Sequence, residues 1–197
     1  MFFKVQGLNF SYGNTPILKD INFSAESGQI LTFVGPNGSG KTTLSYCLAG
    51  IIPHLINGKL TGSVFVDGKN IFEKQFDSIV KKVGYIFQDP ENQFITLRVR
   101  DELELVASAK NENMLSIIDT FQLKEILDKA PSELSMGQKQ RVALASVLVA
   151  SPQVLVLDEP GSTIDPCGVK KLSQILKHLK SDKVIILFTH DLELAKN

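Results

Sequence analysis

Residues 35–43 form the segment of the chain whose residue types and spacing most clearly indicate chemistry. Three glycines precede a lysine and two threonines there, in the order Gly35, Pro36, Asn37, Gly38, Ser39, Gly40, Lys41, Thr42 and Thr43. Glycines at this spacing let backbone N–H groups close around phosphate oxygens, because no side chain blocks the approach. The lysine then reaches the β- and γ-phosphates, and the next hydroxyl can bind Mg²⁺. The segment therefore predicts binding of a nucleoside triphosphate together with Mg²⁺.

Two carboxylates follow a purely apolar run in the last third of the chain. Residues 154–157 are Val, Leu, Val and Leu, and Asp158 and Glu159 come directly after them. An unpaired charge at the end of a buried strand costs on the order of several kcal/mol, so these side chains need partners. Magnesium would supply one. A second apolar run, residues 184–188, leads to His190, although a histidine after a strand is more often an ordinary surface residue.

The elements around these residues predict an α/β fold. An apolar strand at residues 30–34 precedes the glycine-rich segment, and a helix is expected to begin near Lys41. Gln88 follows another strand candidate, residues 83–87, at the kind of strand end where α/β sheets bind ligands. Alternating apolar stretches in residues 2–25 and a turn at Asp67 and Gly68 favour an additional antiparallel sheet.

The region between the two groups of strands is predicted to be helical. Apolar residues recur at helical spacing over residues 100–129, and residues 139–150 are apolar enough to form a buried helix. Ser135 and Gln138 have the spacing of a capping box at the start of that helix. Asp165 followed by Pro166 predicts the beginning of a further helix that reaches about residue 180.

Composition narrows the class of protein. The 197 residues are 43% hydrophobic and 21% charged, which suits one large globular domain or a core with an inserted subdomain. The formal net charge of zero argues against a general nucleic-acid scaffold, although it leaves room for a local basic patch. The apolar runs have strand length, and the N-terminus lacks the pattern of a secretory signal, so we expect a cytoplasmic protein. Cys47 and Cys167 lack metal-ligand spacing and are expected to be reduced thiols.

Residues 134–138 extend these observations to a family. The sequence Leu-Ser-Met-Gly-Gln lies there, between the glycine-rich segment and Asp158, and it resembles the signature of the ATP-binding subunits of ABC transporters. The resemblance covers nearly the whole chain. Its elements occur in the family's order: the A-loop aromatic Tyr12, Walker A (residues 35–42), the Q-loop residue Gln88, the signature, Walker B with its glutamate (residues 154–159), the D-loop (residues 162–165) and the switch histidine His190.

The resemblance implies a role for each of these residues. Tyr12 would stack on adenine, where position alone favours a partly buried turn tyrosine. Asp158 would hold the Mg²⁺ shell with Thr42 and Gln88. Glu159 would polarise the attacking water as general base, and His190 would contact both the γ-phosphate and Glu159. The implied substrate is ATP, with Mg²⁺ as cofactor.

The resemblance also implies a head-to-tail dimer with another ABC ATPase domain. The signature residues Ser135, Gly137 and Gln138 of one chain would cover the γ-phosphate bound to Walker A of the other. Asp165 would couple the two sites through the D-loop, or would serve only as a helix cap. This chain places Met136 where the family's signature has its first glycine. We expect a functional but slow site, with an impaired site completed by a different partner as the alternative.

Residues 87–94 and 50–54 are similar to the ATPases of energy-coupling factor (ECF) importers, which take up vitamins and transition-metal ions. That likeness implies a transmembrane transporter subunit as partner, contacted near Asp89 and Glu91, and a peripheral location at the cytoplasmic face of the membrane. The family usually continues well beyond His190, so the chain is expected to be C-terminally short or one half of a tandem protein. The substrate, and the choice between homodimer and heterodimer, stay open.

The expected fold is a P-loop NTPase core with a parallel sheet flanked by helices, an antiparallel β subdomain and an inserted helical subdomain. One ABC domain would span residues 1–197, with core and antiparallel parts in residues 1–88 and 151–197 and a mainly helical part in residues 89–150. Two alternatives stay open. One is a soluble ABC ATPase of repair or translation, although the coiled-coil insertion, zinc cysteines or tandem domains usual in such proteins are absent here. The other is a regulatory module that binds ATP without hydrolysing it. A P-loop kinase would leave the signature unexplained.

Overall fold

The computed structural model describes residues 2–106 and 113–195. Its strands are β1 (Phe2–Tyr12), β2 (Thr15–Glu26), β3 (Ile30–Val34), β4 (Lys59–Val66), β5 (Lys69–Asn70), β6 (Val83–Ile86), β7 (Val154–Asp158) and β8 (Val184–Thr189). Its α-helices are α1 (Lys41–Leu48), α2 (Ile51–His54), α3 (Phe76–Val80), α4 (Val99–Val106), α5 (Asn113–Thr120), α6 (Met136–Val149), α7 (Pro166–Leu179) and α8 (Leu192–Ala195). The predicted α/β class is confirmed.

One sheet is antiparallel, with strand order β2-β1-β4-β5. Its first turn follows Tyr12, which pairs with Thr15 across it. The turn between β4 and β5 contains Asp67 and Gly68, both at positive φ (49° and 73°), as the tight two-residue hairpins require. Both turns confirm the antiparallel arrangement predicted from the sequence.

The other sheet is parallel, with strand order β3-β8-β7-β6. Every residue of β7 and β8 is buried, which explains why their sequences are continuous apolar runs rather than alternating ones. Because all four strands run the same way, the residues after each strand meet at one edge of the sheet. The sheet therefore brings the glycine-rich segment after β3, Glu159 after β7 and His190 after β8 to a common place.

The chain between the paired strands β6 and β7 contains α4, α5 and α6. Helix α6 packs eight of its residues into the interior, and it faces β6 and the shorter helices α4 and α5. The helical stretch predicted over residues 100–129 is confirmed for α4 and α5, while residues 107–112 lie outside the described residues. Residues 124–126 form only a 3₁₀ turn, and Leu105 and Leu115 are exposed (58% and 73%), so apolar spacing overstated the burial there.

Two further predictions concern membrane-spanning segments and the cysteine thiols. Within residues 2–106 and 113–195, no helix combines the length and apolarity that crossing a membrane requires. Both cysteines are free, with Cys47 buried and Cys167 exposed. Burial raises the pKa of the Cys47 thiol to about 12, so this thiol stays protonated and unreactive near neutral pH.

Candidate functional site

The glycine-rich segment forms a loop that ends at the N-terminus of α1. Gly38 and Gly40 adopt positive φ angles of 79° and 92°, a region that side chains disfavour. A Cβ on Gly40 would also lie 3.2 Å from the Ile17 side chain, so the loop needs glycine there for two reasons. The N–H groups of the first turn of α1 are available to an anion at this position. The local geometry is therefore suited to a phosphate chain.

Lys41 folds back over this loop. Its Nζ donates to the backbone oxygen of Gly35 at 2.7 Å and to that of Pro36 at 3.2 Å. The same Nζ lies 3.2 Å from Oε1 of Glu159, and both side chains are largely buried. The lysine thus connects the loop after β3 with the carboxylate that follows β7.

Glu159 lies between Lys41 and His190. Its Oε2 accepts a hydrogen bond from the backbone N–H of His190 at 3.1 Å and lies 2.7 Å from Nδ1 of the imidazole. Its backbone has a positive φ of 49°, which is rare for a side-chain-bearing residue, and its N–H donates to the oxygen of Phe188 in β8. Hydrogen bonds to β8 and to the residue that follows it therefore hold Glu159 in place, while the His190 side chain is 60% exposed.

Asp158 is buried at the end of β7, and its two oxygens have different surroundings. Oδ2 accepts hydrogen bonds from the Tyr85 hydroxyl at 3.2 Å and the Ser45 hydroxyl at 3.4 Å. Oδ1 is buried without a hydrogen-bond partner among the described residues. Burial raises the pKa of the Asp158 carboxyl above its ordinary value, and the nearby Thr42, Tyr85 and Ser45 hydroxyls oppose that shift.

The unpaired oxygen of Asp158 indicates whether magnesium fits this site. Magnesium prefers carboxylate and hydroxyl oxygens, and it commonly takes one carboxylate together with substrate phosphates. The free Oδ1, with the Thr42 hydroxyl close to the same carboxyl group, matches that preference. The residues present therefore fit the ion.

Gln88 and Tyr12 lie at the margin of this group. Gln88 follows β6 with its side chain exposed, and it makes no hydrogen bond to the rest of the described chain. The structure thus places Gln88 after the neighbouring strand but does not join it to Asp158. Tyr12 ends β1 as a residue that is 39% exposed, and its ring packs edge-on against Phe10 with the centroids 4.7 Å apart.

The signature residues form the N-terminal turn of α6. Ser135 and Gln138 make the capping box predicted from their spacing: the Ser135 N–H donates to Oε1 of Gln138 at 2.8 Å, and the Gln138 N–H donates to the Ser135 hydroxyl at 3.4 Å. Gly137 is exposed, and a Cβ added to it would meet nothing within 4 Å. No hydrogen bond within the described chain joins these three residues to the glycine-rich loop.

Asp165 caps α7, since its Oδ1 accepts a hydrogen bond from the Gly168 N–H at 2.7 Å. This confirms the cap predicted from the sequence. A cavity of about 540 Å³ between α6 and α7 is lined by Asp165 and by the signature residues Ser135, Gly137 and Gln138. Asp165 and the signature therefore border one shared surface, apart from the loop that carries Lys41.

Sequence analysis missed two residues of the site, Ser45 and Tyr85. Ser45 is completely buried one turn after Thr42 on α1, and Tyr85 lies on β6 beside the strand that ends in Asp158. A polar residue three positions after Thr42 on an otherwise apolar helix face was a usable signal for Ser45. Tyr85 offered none, because an apolar strand accommodates tyrosine without any functional reason.

Comparison with known proteins identifies a family model and close relatives. A model described as ABC transporter matches residues 18–162. A protein of Pyrococcus abyssi, named as a candidate ABC transporter ATP-binding protein, is 40% identical over 95% of this chain and 71% of its own length. An energy-coupling factor transporter ATP-binding protein, EcfA, of Aster yellows witches'-broom phytoplasma is 35% identical over 97% of this chain and 71% of its own.

Solved structures agree with these matches. CbiO1 of Clostridium perfringens, described as part of the ABC transporter complex cbiONQ, superposes with a TM-score of 0.83 at 32% identity, covering 98% of this chain and 79% of that one. The ATP-binding cassette MJ0796, described as a dimer in a post-hydrolysis state with ADP and phosphate, superposes with a TM-score of 0.81 at 26% identity, covering 98% and 90%.

Proposed function

Because this chain belongs to the ABC transporter family of ATP-binding ATPases, we propose that it is the ATPase subunit of an energy-coupling factor type importer. Its likeness to EcfA and to CbiO1 supports the importer type. In this proposal the chain lies at the cytoplasmic face of the membrane and drives uptake of a vitamin or metal ion through a separate transmembrane component. That component selects the substrate.

The observation that carries the catalytic part of the proposal is the position of Glu159 between Lys41 and His190. When ATP binds, Lys41 pairs with the β- and γ-phosphates instead of with the Glu159 carboxylate. Oε1 of Glu159 is then free to accept a proton from the attacking water. His190 keeps its contact with Oε2 and so fixes the direction in which the carboxylate points. Tyr12 stacks on adenine with its aromatic ring.

The Mg²⁺ of MgATP would be held by Asp158, Thr42 and Gln88, and it would neutralise charge on the phosphates as the γ-phosphoryl group leaves. Asp158 offers its unpaired Oδ1 for this purpose. Gln88 reaches the site only if its segment moves from the exposed position that follows β6. Such a movement would also transmit the state of the nucleotide to the surface after Gln88.

The signature acts in trans in this proposal. The exposed Gly137 and the N-terminus of α6 present N–H groups to the γ-phosphate bound by a partner ATPase domain, and Ser135 and Gln138 hold that turn in shape. Asp165 lies close enough to the same surface to couple the two sites. The dimeric state described for MJ0796 supports this arrangement.

The transmembrane component is proposed to dock on the segment after Gln88. Asp89 caps the 3₁₀ turn Pro90–Gln93, and Glu91 forms an ion pair with Lys139 of α6. Ile95 and Leu97 follow with exposures of 77% and 85%, which is high for apolar side chains. This segment combines an ordered acidic turn with an apolar tip, so it can bury apolar area against a partner.

Purification from membranes tests the importer proposal. We expect the chain to co-purify with an integral membrane protein from detergent-solubilised membranes, and the isolated complex, in lipid vesicles, to accumulate a vitamin or metal ion only with MgATP. Replacing Ile95 and Leu97 by Asp should remove the membrane protein while ATP binding persists. Leu115→Asp is the matched control, because Leu115 is an equally exposed apolar residue elsewhere. Recovery with ribosomes or nucleic acid instead would refute the importer role.

A further inference from the structure

A cluster of hydroxyl groups lies beneath the Asp158 carboxylate. The Tyr85 hydroxyl is 3.2 Å and the Ser45 hydroxyl 3.4 Å from Oδ2, and the two hydroxyl oxygens are 2.9 Å apart. Ser45 is fully buried and Asp158 is 2% exposed. Polar groups this deeply buried interact strongly, because water does not compete for them.

The protons of this cluster can be assigned by counting donors and acceptors. Each hydroxyl has one proton, and Ser45 has a nearer acceptor than Asp158, the backbone oxygen of Thr42 at 2.8 Å. Among the described residues, the Tyr85 hydroxyl reaches Ser45 and the Asp158 carboxylate, and a carboxylate is the stronger acceptor. Tyr85 therefore donates to Asp158, and the single Ser45 proton is shared among the Thr42 backbone oxygen, the Tyr85 oxygen and the more distant Oδ2.

Other contacts keep Tyr85 in this role. Its ring packs edge-on against Phe87, with the ring centroids 4.8 Å apart, and lies tilted against Tyr46 at 5.7 Å, so both rings restrict the direction of the hydroxyl.

We propose that Tyr85 is a positioning residue for the magnesium ion: it holds Oδ2 of Asp158 so that Oδ1 alone faces the metal. The inference rests on the proposed role of Asp158 as a magnesium ligand. It follows from the asymmetry of the carboxylate, because Oδ2 takes both hydroxyl contacts while Oδ1 has no hydrogen-bond partner among the described residues. Partners of this kind fix the orientation of a ligand and maintain its charge.

Loss of the Tyr85 hydroxyl should weaken Mg²⁺ binding and leave the affinity for the nucleotide alone unchanged. The carboxylate would then turn more freely, and its buried charge would retain the longer contact with Ser45 and the nearby Thr42 hydroxyl. Removing such an outer partner typically costs about 10- to 100-fold in metal affinity. We expect a loss at the lower end of that range, because Ser45 and Thr42 still contact Asp158.

The test is calorimetric titration of the full chain with a non-hydrolysable ATP analogue, once with Mg²⁺ and once with a chelator. We define the metal gain as the Kd measured with chelator divided by the Kd measured with Mg²⁺. Tyr85→Phe should lower the metal gain about tenfold and leave the Kd with chelator unchanged. Ser45→Ala should lower it less. Tyr46→Phe is the matched control, since it removes a hydroxyl from the same aromatic cluster but none that hydrogen-bonds to Asp158.

The possible results separate this inference from the function on which it rests. A metal gain that is absent in the wild type, or that persists in Asp158→Asn, would overturn the magnesium role of Asp158 and the inference with it. A gain that is lost in Asp158→Asn but intact in Tyr85→Phe would overturn the Tyr85 inference alone, as would an equal weakening with and without Mg²⁺. Should Tyr85→Phe fail to fold, Tyr85→Met removes the hydroxyl and fills the space, with the same loss expected.

Discussion

Lys41 and Glu159 form a largely buried ion pair, with Nζ and Oε1 3.2 Å apart and side-chain exposures of 11% and 7%. The cation expected to bind the γ-phosphate therefore neutralises the carboxylate expected to act as base. Burying either charge alone would be costly, so each stabilises the other. When the nucleotide binds, its phosphates would replace the Glu159 carboxylate as the partner of Lys41. The same exchange would free Glu159 to act as the base.

Neutralising Glu159 should separate hydrolysis from binding. Glu159→Gln keeps the size of the side chain but removes the base, so phosphate release should fall by about 10²- to 10⁴-fold. The ATP affinity should stay the same or increase, because Lys41 no longer has a competing carboxylate. Measuring phosphate release and nucleotide titrations on Glu159→Gln, with the exposed Glu26→Gln as control, checks both expectations. Hydrolysis at the wild-type rate would rule out Glu159 as the base.

The same Glu159→Gln variant tests action in trans. With hydrolysis blocked, MgATP should hold two chains together, and size-exclusion chromatography with light scattering should detect a dimer only when MgATP is present. Such a dimer would show that Ser135 and Gly137 work across the interface despite Met136. A protein that binds ATP but stays monomeric would indicate that a different ATPase chain completes the site.

Removing the lysine should abolish nucleotide binding. Lys41→Ala loses the cation that balances the phosphates and, among the described residues, leaves the buried Glu159 with His190 as its remaining side-chain partner. Breaking a buried pair typically costs about 3–5 kcal/mol, so we also expect a lower Tm. Fluorescence titration with ATP measures the binding, and Lys170→Ala, at an exposed position of α7, serves as the control. Wild-type affinity in Lys41→Ala would contradict the assignment of the loop.

The sequence predicted the parts of this site that depend on local spacing. Three features each follow from residues within a few positions of one another, and the structure contains all three: the glycine-rich loop, the two carboxylates at the end of β7 and the cap at Asp165. Contacts between distant residues were beyond its reach. The Tyr85 and Asp158 pair spans 73 positions and the Ser45 and Tyr85 pair spans 40, so only the packing of β6, β7 and α1 reveals them.

The Lys41 and Glu159 pair illustrates a second limit. Sequence analysis assigned Lys41 to phosphate and Glu159 to water, and nothing in either motif indicates that the two side chains also bind each other. Helical periodicity had a similar limit, because Leu115 has the spacing of a core residue but lies 73% exposed. Periodicity reports which residues share a face, and only the tertiary structure decides whether that face is covered.

Gly137→Ala should distinguish folding from assembly. A Cβ at this position meets nothing within 4 Å in the single chain, and alanine favours the helix, so stability should be unchanged or raised by up to about 1 kcal/mol. The added methyl group would nevertheless lie between the signature and the partner's γ-phosphate. Hydrolysis should therefore fall about 10- to 100-fold, as misplaced reacting groups typically cause. Thermal melts and phosphate release on the same preparation check both, and an unchanged rate would argue against action in trans.

Asp165 has two proposed roles that two substitutions can separate. Asp165→Ala removes the cap of α7 and should cost about 0.5–2 kcal/mol of stability. Asp165→Asn keeps an oxygen for the Gly168 N–H but loses the charge, so the Tm should be retained while hydrolysis falls if Asp165 couples the two sites. Denaturant unfolding and ATPase assays on both variants give the comparison. Wild-type hydrolysis in Asp165→Asn would leave only the capping role.

In the absence of a metal ion, the buried Asp158 carboxylate should lower the stability of the folded protein. Burial raises the pKa of its carboxyl in the folded state, so the folded protein holds this proton more tightly than the unfolded chain does. The contribution of Asp158 to stability must then decrease as the pH rises from the ordinary carboxyl pKa, about 4, through the raised value. Asp158→Asn should have a higher Tm than the wild type at pH 7 in chelator, and the difference should shrink toward pH 4. The exposed Asp77→Asn, measured over the same pH range, shows whether another lost carboxylate has this effect. A wild type more stable than Asp158→Asn at pH 7 would mean that the hydroxyl contacts outweigh the cost of burial.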